Sequence, residues 1–458
     1  MLKKLLLLLV IFLHPQSPRL PGPGGESRVS PPVVNTSNSG ALSSNTATVT
    51  FTAPSAQFGI VAHLIANGTA TFASVFDCAG AGPCTTPGTD WFNFSDPAAV
   101  CTTTNGQTTC EVYVCQSHLA SGSSAITLNT SSGGTTPQVD VEIITGMSGY
   151  SCLDQIGHNS NGASTNPTVT TTGNVSNGTE FVIGSARSSA NVSAGSGYTS
   201  IQAPIATVMT EGSNTAPASG GTATAPWSAS SGAWNAQIST WSTSAITPQR
   251  AQLDARCINL ANATTVTCSM SIFANDTIIV HSYHSSTVAS DSFADCTGSS
   301  ACGASTDTLV ASNGCTTANS RIVCEYYICQ SALPAGTVAV TLTTAAGSTN
   351  RTVEAEAWRG LATSGCFDTS GTGSNAASTN PTATTSGNIA GNNELLIGWC
   401  ETGSAPTAGT GARQISIQSN SVSGEYYSAS PTSGATATAA FSAGSSSWIA
   451  LASAWKSQ

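Results

Sequence analysis

At 458 residues the chain is long enough for more than one domain, yet only 7% of it is Asp, Glu, Lys or Arg, against about a quarter in an ordinary globular protein. A net charge of −10 with only 12 Lys and Arg leaves little to hold a phosphate backbone, which argues against nucleic acid as a partner. Polarity comes from Ser, Thr, Asn and Gly instead, while 40% hydrophobic content and short Val/Ile-rich runs favour folded β-structure over disorder.

The chain opens with two lysines and an apolar run over residues 5–13. The run is shorter than the about 20 residues a membrane helix needs, so residues 1–20 read as a secretory signal peptide. Residues 21–43, rich in Pro, Gly and Ser, read as a flexible lead-in. Export places the 15 cysteines in an oxidising compartment, where a disulfide framework is expected and the protein is secreted or held at the cell surface.

The next strong signal is CTTTNGQTTC, residues 101–110. Asn105-Gly106 suits a two-residue hairpin turn with positive φ at both positions. Counting outward, Cys101 falls opposite Cys110 in a non-hydrogen-bonded pair, with Cα atoms about 4.5 Å apart, inside the range a disulfide spans. The same spacing returns as CTTANSRIVC at residues 315–324, and the displacement of 214 continues through Cys115 and Cys329, Cys152 and Cys366, Glu180 and Glu394, Trp234 and Trp448, and Trp241 and Trp455. Upstream it becomes 218, as Cys78 with Cys296 and Cys84 with Cys302 show. The chain is a tandem duplication: repeat one over residues 44–243, a linker over 244–256, and repeat two over 257–458.

Within each copy the readable runs are short and β-branched, as in NTATVTFT, FGIVAHLIA, CEVYVC and VDVEIITG, with turn residues between them. They predict an all-β fold of two tandem antiparallel β-sandwich, jelly-roll-like domains. Two immunoglobulin-like units per copy are the alternative, which the cysteine pairs spanning the middle of the copy disfavour. The closing segment with Trp448, Leu451, Ala452 and Trp455 also fits a helical template, but its β surroundings favour a strand.

Spacing divides the six shared cysteines of each copy. The hairpins select Cys101–Cys110 and Cys315–Cys324, the short Gly-rich loop AGAGP selects Cys78–Cys84 with Cys296–Cys302 as its repeat, and elimination leaves Cys115–Cys152 and Cys329–Cys366. Strand parity agrees, since Cys110 and Cys115 point to opposite faces. The second copy adds Cys257, Cys268 and Cys400. Aligning Cys268 with Phe51 and Cys400 with Ala186 allows a Cys268–Cys400 bridge, which leaves Cys257 for an intermolecular disulfide; Cys257–Cys268 with Cys400 buried is the other pairing. No Cys-x-x-Cys occurs, which argues against zinc.

The run QVDVEI, residues 138–143, puts Asp140 and Glu142 on one strand face; Glu354 and Glu356 repeat them. This run is similar to the catalytic strand of jelly-roll glycoside hydrolases of the laminarinase type, whose pattern needs a third carboxylate where Gln138 and Thr352 stand. Without it the double displacement lacks its nucleophile. A solvated strand face is the plainer reading, and a calcium site using Asp140 and Glu142 lies between the two. Tyr113, Tyr327, Trp234 and Trp448 suit either sugar stacking or core packing. His63 and His281, at equivalent strand positions, read as half-buried strand histidines, because no presented serine nucleophile accompanies them.

NELLIGWC (393–400), TFASVFDC (71–78) and SSSWIALASAWK (445–456) carry a resemblance to repeated Thr/Ser/Gly-rich β-sandwich modules of uncharacterised secreted bacterial proteins. That resemblance implies packing and no particular chemistry. The functional expectation is a non-catalytic binding or structural protein, with extracellular polysaccharide or a cell surface as partner. A glycoside hydrolase and a self-assembling surface layer or filament are the alternatives.

Overall fold

The computed structural model describes residues 33–458 apart from 42–44, 69–71, 86–87, 96–100, 131–134, 177–179, 202–207, 214–219, 244–250, 286–291, 345–348, 392–393, 405, 410–411, 419–421 and 428–431. The expected signal peptide lies outside the described residues. Those described form antiparallel β-strands and no helix. The strand Thr46–Ala53 shows why: Ala47, Val49, Phe51 and Ala53 are buried while Thr50 and Thr52 between them are exposed, the period of two that a sheet face requires.

Large and small sheets alternate along the chain. The first large sheet is ordered Val33–Ala41, Thr135–Thr145, Phe58–Asn67, Gln107–Val114, Asn93–Phe94, and its small partner is Thr46–Ala53, Gly122–Thr130, Phe72–Ala79. A second pair follows in the same copy, with large-sheet order Leu153–Ser164, Gly232–Trp241, Phe181–Ser188, Val208–Ser213, Thr199–Ser200. The second copy repeats both. Its third large sheet runs Gln252–Ala261, Thr349–Arg359, Thr277–Ser285, Arg321–Ile328, Val310–Ala318, and its fourth Phe367–Ser378, Ser446–Trp455, Leu395–Thr402, Val422–Tyr427, Ala412–Gln418. In every sandwich the chain alternates between the two sheets except at one hairpin that stays within the large sheet, and the first strand of the large sheet lies beside the last, the wrapped order of a jelly roll.

Each copy therefore holds two sandwiches, where a single one was expected. Ile60, Leu64, Val112 and Val141 meet Val49, Ile126 and Leu128 between the first large and small sheets. The opposite face of that large sheet, with Val61, Cys115 and Ile144, meets Phe181, Ile183 and Trp241 of the second large sheet. Small, large, large and small sheets thus stack in four layers. The expectation failed on Cys115–Cys152: this bridge staples one sandwich to the next, and does not cross the inside of one. The closing Trp segment is the strand Ser446–Trp455.

Two strands come from stretches whose composition reads as lead-in or linker. Val33–Ala41 pairs with Thr135–Thr145, and Gln252–Ala261 with Thr349–Arg359, each with a register shift at the same place. Both are edge strands, each paired on one side only.

The structure contains all six bridges the spacing selects. Cys101 and Cys110 have Cα atoms 4.4 Å apart and Cys315 and Cys324 4.1 Å, outside turns with φ of 53° and 72° at Asn105 and Gly106, and 53° and 61° at Asn319 and Ser320. A seventh bridge joins Cys257 to Cys268 at a Cα separation of 5.5 Å, which corrects the expectation of an intermolecular bond through Cys257. The alignment behind that expectation is displaced: Cys268 lies opposite Val340 and matches Val49, opposite Ile126, and not Phe51. Cys400 is the buried cysteine left outside the bridges.

Candidate functional site: a buried acid–imidazole network

The strand Phe58–Asn67 turns Ile60, Ala62 and Leu64 toward the small sheet, so His63 points the other way, into the seam between the two large sheets. In the ladder His63 lies beside Glu111 on one side and Asp140 on the other. Its Nε2 is 2.7 Å from Glu111 Oε2 and its Nδ1 is 3.1 Å from Glu142 Oε2. Across the seam, Ser239 donates Oγ–H to the same Glu111 oxygen at 2.8 Å, and Trp241 donates its indole N–H to Ser239 Oγ at 2.9 Å. Gln138 donates to Asp140 at 2.8 Å. None of His63, Glu111, Asp140, Glu142 or Ser239 is more than 2% exposed.

The second copy rebuilds the chain of bonds. His281 Nε2 is 2.6 Å from Glu325, Ser453 donates to Glu325 at 2.8 Å, and Trp455 donates to Ser453 at 2.9 Å. Here His281 Nδ1 is 3.9 Å from Glu356, and Glu354 faces Arg256 at 3.7 Å. Burial drives both histidines toward neutrality. In the first copy the Glu142 and Glu111 carboxylates outweigh it and raise His63 to about 10. In the second, burial prevails over Glu325 and His281 is lowered. Burial also raises Glu142, against the pull of His63, and raises Glu356 further with Glu354 beside it.

Around this shared core the seam has diverged in compensating pairs. Arg187 donates Nε–H to Gln107 at 3.2 Å in the first copy; at the same places in the second, Arg321 meets Glu401 at 3.6 Å. Ser185 of the first copy becomes Trp399, whose ring lies 4.3 Å from His281. The strand beside it carries Thr210 opposite Ser185 but Gly424 opposite Trp399.

This geometry corrects several expectations. Asp140, Glu142, Glu354 and Glu356 do not form a solvated face; the second large sheet of each copy covers them. Glu142 is met by an imidazole where calcium needs oxygen ligands, and among the described residues no group of three or more His, Cys, Asp or Glu side chains is placed to hold a metal. Tyr113 and Tyr327 pack edge-on against Trp241 and Trp455, at 5.1 and 5.0 Å, and Trp234 and Trp448 are buried with their indoles bonded to Ser164 and Ser378 at 2.7 Å. Trp234 and Trp448 are interior rings with no face open to a sugar, and Tyr113 and Tyr327 are half-buried in the same packing. The histidines are fully buried where half-burial was expected.

Glu111, Glu325, Ser239 and Ser453 escaped the sequence reading. Their signal was present: a Glu directly after the second hairpin cysteine and a Ser two residues before the last Trp, in both copies. Among the described residues no helix is long and apolar enough to cross a membrane. No protein-family model matches the sequence, and no curated protein matches it either.

Proposed function

We propose that this chain is a secreted, non-catalytic protein for binding or structural display outside the cell, with extracellular polysaccharide the first ligand class to test. The observation that carries the reading is the enclosure of His63, Glu111 and Glu142: the groups able to do acid–base work are sealed between two sheets and bonded to one another. A general acid or base must come within hydrogen-bond reach of the proton it moves, and a glycosidic bond cannot enter this seam. What the protein presents outward is hydroxyl-rich sheet, as in the exposed cross-strand pairs Thr170–Thr224 and Thr384–Thr438, 2.9 and 2.8 Å between oxygens. Seven bridges in so weakly charged a chain suit an oxidising compartment.

The test pairs binding with turnover. The folded chain is presented to a polysaccharide panel, with pull-down and release of reducing ends measured on the same samples. Retention without new reducing ends supports the proposal; turnover that vanishes in Glu111→Gln overturns it.

A further inference from the structure

The two copies meet through side chains that do not recur. From the first copy, Trp91 donates its backbone N–H to Asp254 O at 3.1 Å, Asn93 Nδ2 donates to Leu253 O at 3.0 Å, and the Trp91 ring lies 4.5 Å from the Arg256 guanidinium. From the second, Arg359 Nη1 donates to Gln116 Oε1 at 2.9 Å and to Gly149 O at 2.6 Å, while its Nε pairs with Asp254 at 2.8 Å and Asp276 at 3.5 Å. Phe273 is held between them, with the Arg359 guanidinium at 3.8 Å on one side and the His118 ring stacked at 3.8 Å on the other. His118 is anchored in turn by Asp90 at 2.6 Å. Each disulfide closes within one copy, so none of this is held covalently across the joint.

Register shows what each contact residue becomes in the other copy. Asn93 and Val310 both lie opposite the seam tyrosine of their sheet, and the Asp90 and Asp307 carboxylates both receive the backbone N–H of His118 or Ala332. Trp91, Asn93 and His118 thus correspond to Thr308, Val310 and Ala332. On the receiving side Asp254, Arg256, Phe273 and Arg359 correspond to Asn35, Ser37, Pro54 and Thr145. The outward faces of the pair therefore lack the arginines and rings that make the joint, and Val310 stands 49% exposed.

We infer that the joint is a dedicated recognition surface: the Trp91–His118 face of copy one is a docking site for the Arg359–Phe273 face of copy two, and the outward faces of the pair do not dock in the same way, which limits this contact to two copies. A heterologous contact that repeated would grow head to tail; here the determinants sit on the inner faces alone. Asp254, Asp276 and Phe273 of its own copy hold the Arg359 guanidinium in place, so that its Nη1 meets Gln116 and Gly149 of copy one from a fixed position while Phe273 stacks on His118; such pre-set contacts suit specific docking better than a passive linker contact. This goes beyond the proposed function, which concerns what the protein presents outward.

A protease site placed within residues 244–250 of the full-length chain, cut after folding with disulfides intact, tests the joint. The halves are expected to co-elute at micromolar concentration on size exclusion; halves that separate overturn the inference. Trp91→Thr with His118→Ala installs the second copy's own residues, which the same fold already accepts. This double variant should weaken the cut complex at least about tenfold with unchanged circular dichroism, and halves that bind as before would overturn the assigned contacts. Sedimentation of the uncut chain should show one species over the same range, and head-to-tail oligomers would refute the limit of two.

Discussion

Trp358 donates its indole N–H to Glu356 Oε2 at 2.7 Å, and this bond separates the chemistry of the two copies. Ile144 holds the matching position in the first copy, so there Glu142 turns to His63 instead. The same imidazole, on the same strand of the same sheet, has two strong carboxylate partners in one copy and one in the other.

The first consequence is opposite pH dependence. His63 is raised to about 10, above its unfolded value near 6.5, so its contribution is complete below pH 6.5 and is lost as pH climbs toward 10. His281 is lowered, so its contribution is present above pH 6.5 and lost as pH falls through its folded value. Denaturant unfolding across pH should show His63→Gln removing part of the alkaline loss and His281→Gln part of the acid loss. An unchanged alkaline slope in His63→Gln would mean the ring is not charged in the fold.

Truncating His63 to Ala leaves Glu111 and Glu142 buried without their cation and should cost roughly 3–5 kcal/mol, the scale for breaking a buried pair. Adding Glu142→Gln should return part of that loss, because it removes one of the two stranded carboxylates. Equilibrium unfolding of the single and double variants measures both.

Trp399 and Gly424 fill one space. A Cβ on Gly424 would lie 2.3 Å from Trp399 Cη2, so Gly424→Thr, the residue found opposite Ser185 in the first copy, should destabilise by about 3 kcal/mol. Combined with Trp399→Ser it should cost far less than the sum of the two single changes. A double-mutant cycle that proves additive would refute the pairing.

At the first hairpin, Gly106 has φ of 72° with nothing within 4 Å of the place a Cβ would occupy, and the second copy already tolerates Ser320 at 61°. Gly106→Ser should therefore cost only about 1 kcal/mol, the ordinary left-handed penalty. Cys110→Ser should cost more, about 2–4 kcal/mol, and leaves Cys101 able to mispair. Melting curves with non-reducing peptide maps distinguish the two.

Cys400 gives a direct check of the bridge assignment. Without reductant, thiol labelling should find none in the native protein and one per chain after denaturation, since the thiol is 0% exposed. Two or more labelled thiols in denaturant would remove a bridge.

Local features are legible in the amino-acid order alone. Hairpin geometry follows from the turn residues and the count outward from them, so placing Cys101 opposite Cys110 needs only the run from one cysteine to the other. Duplication is visible as constant spacing, and strand parity puts Asp140 and Glu142 on one face and Val139, Val141 and Ile143 on the other. What parity cannot say is what lies over each face. QVDVEI reads as a strand with a wet side because charged alternation usually means solvent. Here the second large sheet of the copy lies over it, and His63, 79 residues before Glu142, supplies the counter-charge.

The sequence by itself determined the period-two strands, the duplication and the short-range bridges, because each depends on residues whose separation along the chain sets their separation in space. Only tertiary structure decided that each copy is two sandwiches back to back, that its carboxylates are interior, and that the copies lock through Arg359 and Phe273. Those outcomes turn on which sheet faces cover one another, and contacts between faces are made by residues too far apart in the chain for spacing to couple them.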